Sequence, residues 1–236
     1  MNVAVILAGG HGTRMGIIDK PKQFIDVYGK PILIHTLEIF DANLDIDAIA
    51  VVCLDDWHED LSIWLRKYEL NKVKWIVRGG KTRQESVRNA IEVIKTSCNG
   101  DDIVIIHDAA RPLVSNRIIK ENIELAKKYG AVDTVIPTTD TIIRSKDGNK
   151  IFDVPVRREL YLGQTPQSFK YSIILEAHDK AVKDGILDAT DDCQLVLNCN
   201  KDVYIVEGEK LNFKITTMDD LLLLKAIIKL GKIGEI

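Results

Sequence analysis

The chain has 236 residues, 46% of them hydrophobic and 28% charged, a balance that excludes a disordered or fibrous chain and supplies ample material for a buried core. Its 32 Lys and Arg stand against 35 Asp and Glu, a net charge of −3. That removes the general attraction nucleic acid or an anionic membrane would need, so neither is an expected partner and any anion site must be local.

The length predicts a single domain over 1–236 that carries a protruding arm. Cys53, Cys98, Cys193 and Cys199 are scattered without metal-ligand spacing, so they read as reduced thiols of a cytoplasmic protein rather than zinc ligands or disulfides. The first ten residues lack the basic start of a secretory signal. The apolar run 221–224 is cut by Lys225 and is too short to span a bilayer.

In chain order, short β-branched runs alternate with segments of helical period, the pattern of βαβ units. The expected class is α/β: a mainly parallel twisted sheet with helices on both faces. Strands are predicted at 3–8, 48–54, 73–77, 103–107 and 132–137, each nearly continuously apolar, as burial on both faces requires. Pro31 suits a first helical turn, and Asp56 with Glu59 and Thr82 with Glu85 fit capping boxes, so helices are expected to begin at all three places. Beyond residue 140 the runs 140–145 and 150–154 flank Asp147-Gly148-Asn149, a hairpin turn sequence, and make 140–157 the candidate arm. A helix over 171–183, a strand over 203–207 and a last helix capped by Thr217 complete the reading.

The stretch Ala8-Gly9-Gly10-His11-Gly12-Thr13-Arg14-Met15-Gly16 follows the first strand directly. A glycine-rich loop there lets backbone N–H groups approach an anion, at the sheet edge where α/β ligands gather. A plain turn would also use glycines, but Arg14 inside the loop favours a phosphate site. The dinucleotide fingerprint fails because Met15 stands where its third glycine belongs, and the P-loop pattern fails at Trp75, five residues before Gly80-Lys81-Thr82. Lys20-Pro21-Lys22-Gln23-Phe24 brings a second cation, Lys22. His107-Asp108-Ala109-Ala110-Arg111-Pro112 places a charged cluster at the end of the fourth strand, where Asp108 could meet a metal or a sugar hydroxyl or simply pair with Arg111. His107 reads as structural. Weaker signals lie in Arg157, 163–169, Thr190-Asp191-Asp192 and 212–217. With Arg14, Lys22 and Lys214 as fixed cations, these segments describe a site for a highly phosphorylated substrate.

Five strings, A-G-G-x-G-x-R-M-G, P-K-Q-F, H-D-A-A-R-P, Q-T-P-Q-S-F and N-x-K-I-T-T, resemble in order and nearly end to end the family of methylerythritol phosphate and ribitol 5-phosphate cytidylyltransferases. The resemblance implies a Rossmann-like nucleotidyltransferase fold, a β-arm that forms a homodimer, CTP as co-substrate with Mg2+, and release of pyrophosphate. Carried over residue by residue, it gives Ala8, Gly9 and Gly10 to the CTP phosphates and base, with Arg14 and Lys22 on the triphosphate. Gly80 and Ser86, helped by Arg83, would recognise the cytosine and ribose region. Asp108 and Ala109 would meet the sugar alcohol and the nucleotide ribose. Arg157 and Thr165 would bind the acceptor phosphate, with Arg157 delivered by the partner's arm. Thr190 would sit on the acceptor side, and Lys214 would contact the α-phosphate.

Within the resemblance, Ala8-Gly9-Gly10 and Tyr161-Leu162-Gly163-Gln164-Thr165 look like the ribitol branch, whereas Ala110 and Asp192 look like the methylerythritol branch. The balance favours ribitol 5-phosphate as acceptor and CDP-ribitol as product, with 2-C-methyl-D-erythritol 4-phosphate as the alternative. A nicotinamide oxidoreductase would share the α/β pattern but needs the missing glycine. A non-catalytic nucleotide-binding regulator would have no need of Arg14, Lys22 and Lys214.

Overall fold

The computed structural model describes residues 1–10 and 20–231. In chain order the elements are β1 (Asn2–Ala8), β2 (Asp26–Val27), β3 (Lys30–Pro31), α1 (Ile32–Ala42), β4 (Ala48–Cys53), α2 (His58–Lys67), β5 (Val73–Arg78), α3 (Arg83–Ile94), β6 (Ile103–Asp108), α4 (Asn116–Tyr129), β7 (Ala131–Pro137), β8 (Tyr161–Lys170), α5 (Tyr171–Lys183), α6 (Asp192–Leu197), β9 (Tyr204–Glu207) and α7 (Met218–Lys229). Seven strands form one sheet in the order β5-β4-β1-β6-β8-β7-β9. It is parallel except for β8, which runs antiparallel to both of its neighbours.

The two-residue alternation of the strands decides which helices cover which face. Ala4, Ile6 and Ala8 of β1 pack in one core with Leu33 and Leu37 of α1, Leu61 of α2 and Ile119 of α4. Val3 and Val5 face the opposite core, built with Val87 and Ile91 of α3, Ile174 of α5 and Leu195 of α6. Because both faces are covered, β1, β4 and β6 are apolar almost throughout and appear where the sequence predicts them; the strands expected at 73–77, 132–137 and 203–207 also form, as β5, β7 and β9. A third cluster clamps α7 onto the β2–β3 hairpin and the segment after β6 through Val27, Leu113, Ile215 and Leu224.

The polar sequence of β8 hid a strand. Its inward groups are satisfied by a buried network: Thr134 donates to the Pro166 carbonyl at 2.6 Å, while Asn122 donates to Thr134 at 2.8 Å and accepts from Ser168 at 3.0 Å. Asn122 is fully buried and would be costly without these partners.

The helix starts differ in detail from expectation. Pro31 stands just before α1 rather than inside its first turn. Asp56 does not cap α2; it lies in a 3-10 turn, Asp55–Trp57, and the helix begins at His58. Trp57 stacks on Phe24 with ring centroids 4.3 Å apart, fixing that corner. Thr82 does cap α3, accepting from the Glu85 N–H, although the Glu85 carboxylate turns to the Lys81 N–H. At α7 the capping box of Thr217 and Asp220 is complete.

Between β7 and β8 the expected hairpin is reduced to a turn and a single antiparallel bridge, Arg144 to Asp153. Asp147 builds the turn by accepting from the N–H groups of Asn149 and Lys150, each at 2.9 Å, and Gly148 takes the left-handed φ of +75° there. Longer strands do not form because this ribbon has no covered face within its own chain.

Candidate active site

A cavity of about 360 Å³ opens at the carboxyl ends of β1, β5 and β6, the edge at which parallel sheets gather ligands. Eight residues singled out from the sequence line it together: Gly9, Gly10, Lys22, Gly80, Arg83, Ser86, Asp108 and Lys214. Arg14 lies outside the described residues.

The glycines make the floor. A Cβ on Gly9 would lie 3.5 Å from the Gly79 Cα and from Ser86 Oγ, an ordinary contact that leaves room for a small side chain. Gly80 has no room for a side chain at all, because a Cβ there would come within 2.4 Å of Glu85 Cγ and 2.9 Å of the Glu85 backbone carbon. Ser86 Oγ accepts from the Gly80 N–H at 2.9 Å, which ties this glycine to the first turn of α3.

Gln23 is the member of the lysine-rich string whose role the sequence concealed. Nearly fully buried, its amide donates to the carbonyls of Ala8 at 2.6 Å and Gly10 at 2.8 Å, pinning the start of the glycine loop. A glutamine between a lysine and an apolar core residue was the only sign available. Its neighbour Lys22 donates to the Ile215 carbonyl at 2.8 Å, joining the loop side of the cavity to the segment that carries Lys214.

Asp108 is the charge centre of the opposite wall. Lys214 Nζ lies 2.9 Å and Arg111 Nε 3.5 Å from its Oδ2. Burial alone would raise its pKa, but Lys214, Arg111 and Arg83 hold the carboxyl well below the usual range, so it is ionised. His107 is the structural residue the sequence suggested. The Asp108 N–H donates to Thr165 Oγ1 and Nε2 of His107 lies 3.1 Å from the Arg111 carbonyl. The Thr165 hydroxyl proton is therefore directed at His107 Nδ1, 3.1 Å away, and the ring carries its proton on Nε2. Burial lowers the pKa of His107 to about 4, which keeps it neutral.

The remaining candidates do not line this cavity. Ala8 and Ala109 are buried beneath it, the Ala109 N–H donating to the Leu7 carbonyl and its own carbonyl accepting from Thr36. Thr165 is 5% exposed, its hydroxyl held by His107 and Asp108. Thr190 is exposed just before α6, and Arg157 is exposed at the base of the arm, donating to the Thr139 carbonyl at 3.3 Å. Among the described residues no cluster of three or more His, Cys, Asp or Glu could hold a metal ion by itself.

A sequence model of the family of 2-C-methyl-D-erythritol 4-phosphate cytidylyltransferase (IspD) matches residues 2–230. The chain is similar to the solved structure of that enzyme from Francisella tularensis, with 31% identity, a TM-score of 0.81 and coverage of 94% of this chain and 97% of the other. It is similar to the enzyme from Thermus thermophilus at 32% identity, TM-score 0.75, over 97% and 100% of the two chains. It also resembles 4-diphosphocytidyl-2C-methyl-D-erythritol synthase from Anaerococcus prevotii, at 29% identity, TM-score 0.80, over 97% and 96%.

These matches overturn the preference for ribitol 5-phosphate as acceptor. That preference leaned on Gly9 in place of alanine and on Tyr161 to Thr165. A Cβ at position 9 would make only ordinary contacts of 3.5 Å or more, so the loop accepts either residue, and Tyr161 and Leu162 are exposed at the base of the arm. The mainly parallel α/β sheet, the glycine-floored cavity and the match along residues 2–230 agree: the chain belongs to the 2-C-methyl-D-erythritol 4-phosphate cytidylyltransferase family and is a nucleotidyl-transferring enzyme.

Proposed function

We propose that the protein transfers CMP from CTP to 2-C-methyl-D-erythritol 4-phosphate, forming 4-diphosphocytidyl-2-C-methyl-D-erythritol and pyrophosphate. The observation that carries this reading is the convergence of Lys22, Arg83 and Lys214 on a cavity floored by Gly9, Gly10 and Gly80. Glycines admit a triphosphate and a base to the backbone, and fixed cations answer the charge of two phosphorylated substrates.

In the reaction, an oxygen of the acceptor phosphate forms a bond to the α-phosphorus of CTP while the bond from that phosphorus to the β-phosphate oxygen breaks in line. The acceptor oxygen is already ionised, so no general base is required. Catalysis then consists of holding two anions in line and stabilising the charge that spreads over the transferring and leaving oxygens. Lys22 and Arg14 serve the triphosphate; Lys214 serves the α-phosphate. Gly80, Ser86 and Arg83 take the cytosine and ribose side, with Ala8 and Ala109 supplying buried backbone beneath them. Asp108 takes a sugar hydroxyl.

Magnesium fits this wall as a substrate-borne ion. It needs one or two carboxylates plus phosphate oxygens rather than a full protein cage, and Asp108 is an ionised carboxylate whose ion pairs fall on Oδ2. When bound, the ion would neutralise phosphate oxygens.

The acceptor phosphate would fall to Arg157 and Thr165, with Arg157 supplied by a second subunit and Thr190 on the acceptor side. Support for a homodimer comes from the arm, which exposes Ile142, Ile143, Ile151, Phe152, Val154 and Val156, an apolar surface suited to a second copy. No described helix is long and apolar enough to cross a membrane. A pyrophosphate-release assay tests the activity: turnover should require CTP, a divalent cation and 2-C-methyl-D-erythritol 4-phosphate together, and absence of turnover with all three would overturn it.

A further inference from the structure

Behind Arg83 lies a buried pair, Asp192 and His178, to which the reaction gives no part. Asp192, the first residue of α6, is 1% exposed, and His178 of α5 is fully buried. Arg83 Nη1 lies 2.6 Å from Asp192 Oδ2, and His178 Nε2 lies 3.1 Å from Asp192 Oδ1. Among the described residues His178 Nδ1 has no hydrogen-bond partner. The ring is thus committed to Asp192 through one nitrogen.

Arg83 also lies with Nη2 3.5 Å from Gln167 Oε1. The Gln167 amide donates onward to Asp133 at 3.0 Å and Asp191 at 2.7 Å. Arg83 therefore begins α3 at the cavity wall while its guanidinium is gripped from behind by α6 and β8. A free arginine side chain samples many rotamers, and fixing one in advance removes that cost from ligand binding.

We propose that Asp192, oriented by His178, is a positioning residue for nucleotide binding: it fixes the Arg83 guanidinium in the orientation that meets the cytidine end of CTP. The Arg83 side chain lines the cavity and is 25% exposed against 1% for Asp192, so the residue that Asp192 holds is also open to a ligand. Asp192 pairs with Arg83 as a charge-assisted hydrogen bond, in which planar geometry makes arginine directional where lysine would not be. The same residue sits two positions after Thr190, so this contact also anchors the segment given to the acceptor.

The alternative is that Asp192 only staples α3, α5 and α6 together. The inference rests on the CTP-binding reading, and the test separates the two. CTP affinity is measured by calorimetry, with no acceptor present, for the wild type, Asp192→Asn, Arg83→Ala and the double variant, and KM for CTP and kcat are measured alongside. Asp192→Asn should weaken CTP binding and raise its KM about tenfold with kcat changed less than about threefold, and should add nothing in the Arg83→Ala background. His178→Gln, which keeps an N–H donor, should retain affinity, whereas His178→Leu should lose it. Should Asp192→Asn fail to fold, Asp192→Glu, which keeps the charge but displaces it, should show the same selective loss. Equal losses of affinity in both backgrounds, or a lowered melting temperature with unchanged CTP affinity, would overturn the proposal. Wild-type protein that binds no CTP would instead defeat the functional reading beneath it.

Discussion

The ammonium group of Lys214 stands 2.9 Å from Asp108 Oδ2, bridging the last loop of the chain to the end of β6. Each group compensates the other's burial. Since the folded Asp108 carboxyl is held below its unfolded value, its contribution to stability is present above about pH 4, the unfolded carboxylate range, and is lost as pH falls through the folded value. Lys214→Met should lower turnover on the order of 100-fold. It should also make the acid loss of stability shallower, because Asp108 then has less depression to lose. Urea unfolding at pH 7, 4 and 3 checks the second point; an unchanged pH dependence would separate Lys214 from Asp108.

Gly80 and Gly10 should respond oppositely in stability. Alanine at 80 would press on Glu85, including its backbone, and should cost about 1–3 kcal/mol of stability. Its KM for CTP should rise roughly tenfold, equivalent to about 1.4 kcal/mol of binding. Alanine at 10 meets no atom of the described residues within 4 Å and should leave thermal stability unchanged while hindering the nucleotide. Melting curves and KM values for the two variants decide this.

His107 should remain neutral well below the ordinary histidine range. Its pKa is lowered to about 4 by burial, so between roughly pH 6.5 and 4 the unfolded chain takes up a proton that the folded chain refuses. Stability attributable to this residue is therefore full above pH 6.5 and declines as pH falls towards 4. NMR titration of the imidazole should show no protonation at pH 5.5; a midpoint near 6.5 would contradict the burial of its network with Thr165 and Arg111.

The sequence made the parallel half of the sheet and the glycine-rich side of the cavity legible because both follow from local chemistry. β1, β4 and β6 are apolar on both faces, and Gly9 and Gly80 follow strand ends at the edge where a ligand site belongs, with Lys22 lining the same cavity from a 3-10 turn. β8 was not legible, since its polar residues are satisfied by Asn122 and Thr134 from distant segments. The same reason hid the Arg83–Asp192 pair, whose members lie 109 residues apart, while Gln23 was hidden because its partners are backbone carbonyls, which no side-chain pattern marks. Acceptor identity was misread because the strings weighed for it discriminate poorly: position 9 accepts glycine or alanine, and Tyr161 and Leu162 are exposed.

Mixing variants tests the arm. If Arg157 acts across a two-fold interface, an Arg157→Ala chain mixed with a Lys22→Ala chain should form one intact site per mixed dimer and regain activity that neither parent has. Confirmed mixed dimers without recovery would place Arg157 in its own subunit, and a monomer by sedimentation would remove the arm's proposed role.

The central claim is tested most directly by identifying the product. With CTP, magnesium and 2-C-methyl-D-erythritol 4-phosphate, phosphorus NMR should show the acceptor phosphate and the α-phosphate of CTP converted into one coupled diphosphate pair as pyrophosphate appears in equal amount. A mixture in which the acceptor phosphate signal persists while ribitol 5-phosphate is consumed in its place, or in which CTP is merely hydrolysed, would contradict it.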